Sequence, residues 1–196
     1  MSRKIRKLIK TGRKLLLEQR YKEAFKISEQ ALEIDRNSMD ALVLKGDALG
    51  GMEKYEFVLG ICEQALEIDP RHIDAWELKF RALRTLKRRQ EWFDASVKAL
   101  EVVPGNTRLL VQNGYALLSL ARRDEALAVA EGLLAKEPKN SDAWELKGHT
   151  LRRLEKREES LEATNRAWEL SRRKPLIIAL LKKIKRVVMP SGNRKK

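Results

Sequence analysis

Apolar residues recur along the chain at three- and four-residue spacing, in blocks of about 14 residues separated by short polar stretches. Residues 141–174 show the pattern plainly. Ala143, Trp144, Leu146, Leu151 and Leu154 form one block, and Leu161, Ala167 and Trp168 belong to the next. Each block predicts an amphipathic α-helix of ordinary length. Gly50-Gly51, 87–89, 121–123 and 155–156 read as turns inside a pair of helices. The breaks at 69–72, 104–106 and 138–140 each contain a proline, which cannot continue the preceding helix. Asn140, Ser141 and Asp142 then offer N-capping side chains to the helix that follows.

The pairs of blocks keep a fixed period. The phrase Asp-Ala-Trp-Glu-Leu-Lys stands at 74–79 and again at 142–147, and Glu-Gln-Ala-Leu-Glu-Ile-Asp at 29–35 and again at 63–69. Pro70, Pro104 and Pro138 share the same 34-residue beat. A period in this range means stacked units, none of which buries its apolar face alone. The prolines set the phase as 5–38, 39–72, 73–106, 107–140 and 141–174, each predicted to be a helix hairpin.

In this register the chain resembles the tetratricopeptide repeat family. The fourth place of the units holds Leu8, Leu42, Trp76, Leu110 and Trp144. The eighth holds Gly12, Gly46, Gly114 and Gly148, read as points where the two helices of a hairpin approach closely. Ala24, Ala126 and Ser160 fill the twentieth place, and Ala31, Ala65, Ala99 and Ala167 the twenty-seventh. The resemblance covers residues 5–174 and implies an all-α, right-handed α-solenoid of five hairpins. The pattern breaks in 73–106, where the paired small places hold Phe80 and Trp92, so this hairpin is expected to be splayed. Unit 39–72 is expected to be weak, because Gly50, Gly51 and Gly60 each cost about 1 kcal/mol inside a helix. Residues 175–188 read as a capping helix with an apolar face from Ile177 to Val188, and 189–196 as a disordered basic tail.

Charge refines this picture. Residues 1–14 hold seven Lys/Arg and no acid, and 172–196 hold ten and no acid, so the net charge of +14 leaves 15–171 at −3. Any attraction to nucleic acid or an anionic membrane therefore rests on the two basic ends. Neither end carries an aromatic residue for base stacking. No apolar run approaches the ~18 residues of a membrane span. With no secretory leader apparent and Cys62 the lone cysteine, a reducing, cytoplasmic setting is expected.

Enzyme chemistry finds little material. His72 and His149 lie in different units, and no phosphate loop, metal-ligand pair or nucleophile motif appears. We expect no catalytic activity, no metal and no cofactor. The resemblance instead implies a protein or peptide partner in a concave groove lined by the first helix of each hairpin. Its groove places include Arg13, then Val43 and Asp47, then Glu77, Arg81 and Arg84. They continue with Arg108, Val111, Tyr115 and Leu118, and end with Glu145, His149 and Arg152. Val43, Val111, Tyr115 and Leu118 are the expected apolar anchors, Tyr115 foremost. Arg81, Arg84 and Arg108 are expected to set the ligand's register. The carboxylate clamp of co-chaperone members is missing, since Ile9, Arg13, Leu44, Asp74 and Leu78 occupy its places. The charges also admit a plainer reading as surface electrostatics, Glu77 and Arg81 being an i,i+4 pair. Two further readings stand beside the groove. One is binding of RNA, ribosome or anionic membrane through the basic ends. The other is a homo-oligomer in which the first hairpin meets a groove or end of another copy.

Overall fold

The computed structural model describes residues 2–171, and every regular element among them is an α-helix. These are α1 (Arg3–Leu17), α2 (Tyr21–Ile34), α3 (Met39–Gly51), α4 (Tyr55–Ile68) and α5 (Ile73–Thr85). They continue with α6 (Arg89–Val102), α7 (Thr107–Ser119), α8 (Arg123–Lys136), α9 (Ser141–Arg153) and α10 (Arg157–Leu170). From α4 onward every helix begins 34 residues after its counterpart in the preceding pair. The fold is an all-α solenoid. The expected capping helix over 175–188 and the basic tail lie outside the described residues. No described helix is long and apolar enough to cross a membrane.

The chain divides into two compact units, 1–120 with α1 to α7 and 121–196 with α8 to α10. In the first unit each helix packs on the next, and α1, α3, α5 and α7 also touch one another in sequence. In the second, α9 packs against both α8 and α10.

The turns within helix pairs share one geometry. Gln19, Glu53, Lys87, Ala121 and Glu155, again 34 apart, hold left-handed backbones with φ between 58° and 64°. After α1, the Gln19 amide donates to the Leu16 carbonyl (3.0 Å) and the Arg20 amide to that of Leu15 (2.9 Å). Glu53/Lys54, Lys87/Arg88 and Glu155/Lys156 repeat this double bond, which satisfies the carbonyls that a helix end leaves open. Gly50 and Gly51, read from sequence as turn residues, lie within the last turn of α3. A Cβ on Gly51 would stand 2.2 Å from the Tyr21 ring, so close packing rather than a turn requires that glycine.

The breaks between pairs are also built alike. The Trp76 and Trp144 indoles donate to the carbonyls of Pro70 and Pro138, each at 2.9 Å. Those bonds explain why tryptophan and proline travel together six residues apart. Asn106, Asn140 and His72 cap the following helices by accepting an amide N–H three residues on. Lys45, Lys79 and Lys147 reach back to Glu29, Glu63 and Glu131 in the preceding helix. Between α6 and α7 that pair is replaced by a buried bond, the Asn113 amide donating to Ser96 Oγ at 2.9 Å.

Two expectations about packing change in detail. Gly12 and Gly46 do not chiefly mark a crossing within their own hairpins. The atoms nearest an added Cβ are side-chain carbons of Leu44 and Leu78, on the first helix of the next pair. At Gly148 the reading within one hairpin applies, since a Cβ would meet Thr164 and the Ser160 carbonyl of α10. Phe80 and Trp92 are 1% and 4% exposed and fill the core between α5 and α6, which meet less extensively than any other neighbouring pair in their unit. The Trp92 indole N–H finds no acceptor among the described residues, so accommodating two large rings carries a polar penalty. Gly60 of α4 has the opposite situation, being exposed with nothing within 4 Å of an added Cβ. Gly60→Ala should raise stability by about 1 kcal/mol, measured by urea melting.

Candidate functional site

The side of the first unit formed by α1, α3, α5 and α7 carries most of the residues expected to face a partner. Most of its charges are already engaged with one another. Arg13 of α1 pairs with Asp40 of α3 at 2.8 Å. Asp47 of α3 pairs with Arg81 of α5. Arg108 of α7 forks onto Glu77 of α5, with Nε to Oε1 at 2.6 Å, and reaches Asp74 at 3.3 Å. Hydrogen bonding to Glu77 raises the Arg108 pKa above its ordinary value, fixing the guanidinium as a cation. Each pair links a helix to its counterpart in the next repeat rather than joining residues four apart on one helix. Exposed pairs of this kind contribute about 0–1 kcal/mol each. Their larger effect is to neutralise the surface. Arg84, one turn beyond Arg81, is an exposed cation with no acidic partner among the described residues.

The expected apolar anchors behave differently from one another. Val43 and Leu118 are half-buried and keep part of their surface open. Val111 is 7% exposed and belongs to the interior, so it has no surface to offer a ligand. Tyr115 is half-buried, its ring packed against the main core of the first unit. It is thus a core-edge residue rather than a free-standing aromatic, because α7 turns that side toward the packed cluster around Trp92 and Leu109. Glu145, His149 and Arg152 lie on α9 in the second unit, Glu145 and Arg152 exposed and His149 half-buried.

A cleft of ≈ 280 Å³ opens beside α3. Leu16, Tyr21, Gly50, Gly51 and Tyr55 line it, and the Asp47–Arg81 pair stands at its edge. Gly50 leaves room there, its nearest neighbours lying 4.0 Å from an added Cβ, while the Tyr21 ring packs closely over Gly51. Tyr21 and Tyr55 were not among the expected contact residues. Their 34-residue spacing was nonetheless present in the sequence, at the first position of the second helix in each pair. A hollow of ≈ 560 Å³ in the second unit is lined, among the described residues, by the continuous stretch 137–142 that leads into α9.

One exposed aromatic lies elsewhere. Arg20, Arg88 and Arg122 pair with Glu23, Glu91 and Glu125 at the starts of α2, α6 and α8. Hydrogen bonds from these arginines hold the three carboxyls below their usual range. In α4 the acidic position is Phe57, 67% exposed, with Lys54 5.9 Å from its ring centre. Cys62 lies buried, and burial pushes its thiol up to about 12, far from a reactive thiolate. Among the described residues no group of His, Cys, Asp and Glu is placed to hold a metal ion.

The fold has clear counterparts among solved structures. TTC0263, a thermophilic TPR protein of Thermus thermophilus, is 18% identical and superposes with a TM-score of 0.73 over 92% of this chain and 98% of its own. MamA of Desulfovibrio magneticus RS-1 is 16% identical, with a TM-score of 0.66 over 87% and 96%. YrrB, described as a TPR protein with an unusual peptide-binding site, is 23% identical, with a TM-score of 0.58 over 89% and 90%. No family model and no curated protein matches the sequence. With these neighbours, the 34-residue register of its helices and the recurring turn and capping geometry, the chain has the tetratricopeptide repeat fold.

Proposed function

We propose that the protein is an interaction scaffold that holds a peptide segment of a partner along the α1–α3–α5 side of its first unit. The observation that carries this reading is the cleft between Tyr21 and Tyr55 over Gly50 and Gly51. At ≈ 280 Å³ it lies at the lower edge of the ~300–1,000 Å³ usual for small-molecule pockets. It suits one large apolar side chain projecting from a peptide. Aromatic walls supply apolar area at little entropic loss, since each tyrosine is already held at the edge of the packed helices. The cross-repeat ion pairs leave few uncompensated charges around it, so recognition rests on shape and apolar contact. Arg84 is the exception and would favour an acidic residue on the peptide. Peptide binding is also what the description of YrrB records for that neighbour.

Gly50→Leu tests the reading. An added Cβ at Gly50 has only ordinary contacts, at 4.0 Å from Tyr55 and Val58, so a side chain can be added at this cleft-lining position without displacing the neighbouring helices. Helix propensity favours it by about 1 kcal/mol. Peptides selected from a random library on the full chain should therefore lose at least tenfold affinity for Gly50→Leu, while its melting temperature holds or rises. Peptides that bind the variant equally well would remove the cleft from the account. Selection of this chain's own segments would favour self-assembly instead.

A further inference from the structure

We propose that the solvent-facing side of α1 is a docking surface for the anionic headgroups of a lipid bilayer. Ile5, Ile9, Gly12 and Leu15 bury one side of this helix against the repeats. Arg3, Lys7, Lys10 and Lys14, spaced four, three and four residues apart, form a stripe on the opposite side. At 1.5 Å per residue the stripe runs about 16 Å along a helix already fixed by packing. Arg3, Lys4, Arg6, Lys7 and Lys10 have no acidic partner among the described residues, and Lys14 reaches Glu18 at 3.6 Å. These five are therefore available to an external anion, unlike the engaged arginines farther along the first unit.

The placement runs against the helix's own electrostatics. An N-terminus favours acids, and α3, α5 and α9 carry Asp40, Asp74 and Asp142 in their first turns. The first turn of α1 has no acid and is crowded with cations. An approaching anionic surface relieves that repulsion and is drawn by the same dipole. Leu17 selects among anionic partners. It continues the stripe three residues past Lys14 and is 87% exposed, contributing almost nothing to the core. Against a bilayer it enters the boundary between headgroups and acyl chains. A nucleic acid gains little from it, and α1 carries no aromatic side chain on which bases would stack.

The test uses the full chain at physiological ionic strength. Three probes are compared: vesicles of equal parts phosphatidylserine and phosphatidylcholine, vesicles of phosphatidylcholine alone, and single-stranded polyuridine. Each Lys or Arg near an anionic leaflet strengthens binding about fivefold. Lys7→Glu/Lys10→Glu should therefore weaken binding to the anionic vesicles by at least ~25-fold. Its melting temperature should hold, because both side chains are exposed and neither has an acidic partner among the described residues. Arg3→Gln/Lys7→Gln/Lys10→Gln serves as the neutral counterpart if charge reversal disturbs folding. Leu17→Ala should weaken vesicle binding severalfold and leave polyuridine binding unchanged. Vesicle binding that survives loss of the α1 cations, or its absence from the wild-type chain, would overturn the proposal. Tighter binding to polyuridine than to anionic vesicles, with Leu17→Ala having no effect on either, would make the stripe a nucleic-acid surface.

Discussion

Gly148→Leu is expected to destabilise the second unit by about 1–3 kcal/mol, although leucine is the better helix former by about 1 kcal/mol. The reason lies in α10. A Cβ on Gly148 would stand 2.6 Å from Thr164 Oγ1, and 3.3 Å and 3.4 Å from the Thr164 amide nitrogen and the Ser160 carbonyl oxygen. The hydroxyl can rotate away, but the backbone atoms move only if α9 and α10 separate. Ser160 also donates to the Gly148 carbonyl at 2.8 Å, a bond between the helices that separation would break. Urea melts of the full chain distinguish the two effects. A lower midpoint is expected for the variant, and a higher one would remove the close crossing from that hairpin.

Replacing Gln19, Glu53, Lys87, Ala121 and Glu155 together by glycine should raise stability by roughly 2–5 kcal/mol. A left-handed backbone costs an L-residue about 1–2 kcal/mol. Glycine avoids this but loses about 0.5–1 kcal/mol more chain entropy on folding, leaving a smaller gain per site. None of these side chains makes a hydrogen bond or ion pair among the described residues, so substitution removes only the strain. The five turns share no partners, and their effects should add. Urea denaturation followed by circular dichroism is the measurement. An unchanged or lowered midpoint would mean that these turns are not held left-handed in solution.

The repeat architecture was legible because several unlike signals shared one period: two repeated phrases, three prolines and a set of small residues. The left-handed turn positions were not, since four different residue types occupy the five of them and none is glycine. Gly50 and Gly51 drew attention to the wrong place, because a glycine pair suggests a turn as readily as a close approach by Tyr21. Glu77 and Arg81 show the same limit for charges. Sequence spacing predicts their i,i+4 contact, whereas stacking brings Asp47 to Arg81 and Arg108 to Glu77 from helices a repeat away. The apolar anchors were mixed for a related reason. The groove places implied by the family resemblance put Val111 and Tyr115 on the open side, but burial there depends on what packs over the helix. The cleft itself depended on neighbouring helices, although the Tyr21–Tyr55 spacing that builds it was available all along.

The central claim is that the first unit receives a peptide over Gly50 and Gly51. Titrating the isotope-labelled full chain with a selected peptide and following amide resonances by NMR tests it most directly. The account predicts that Gly50 and Gly51 shift most, together with Leu16 and the amides around Tyr21 and Tyr55. Shifts centred on Phe57 and Gly60 of α4, with Gly50 and Gly51 unmoved, would contradict it.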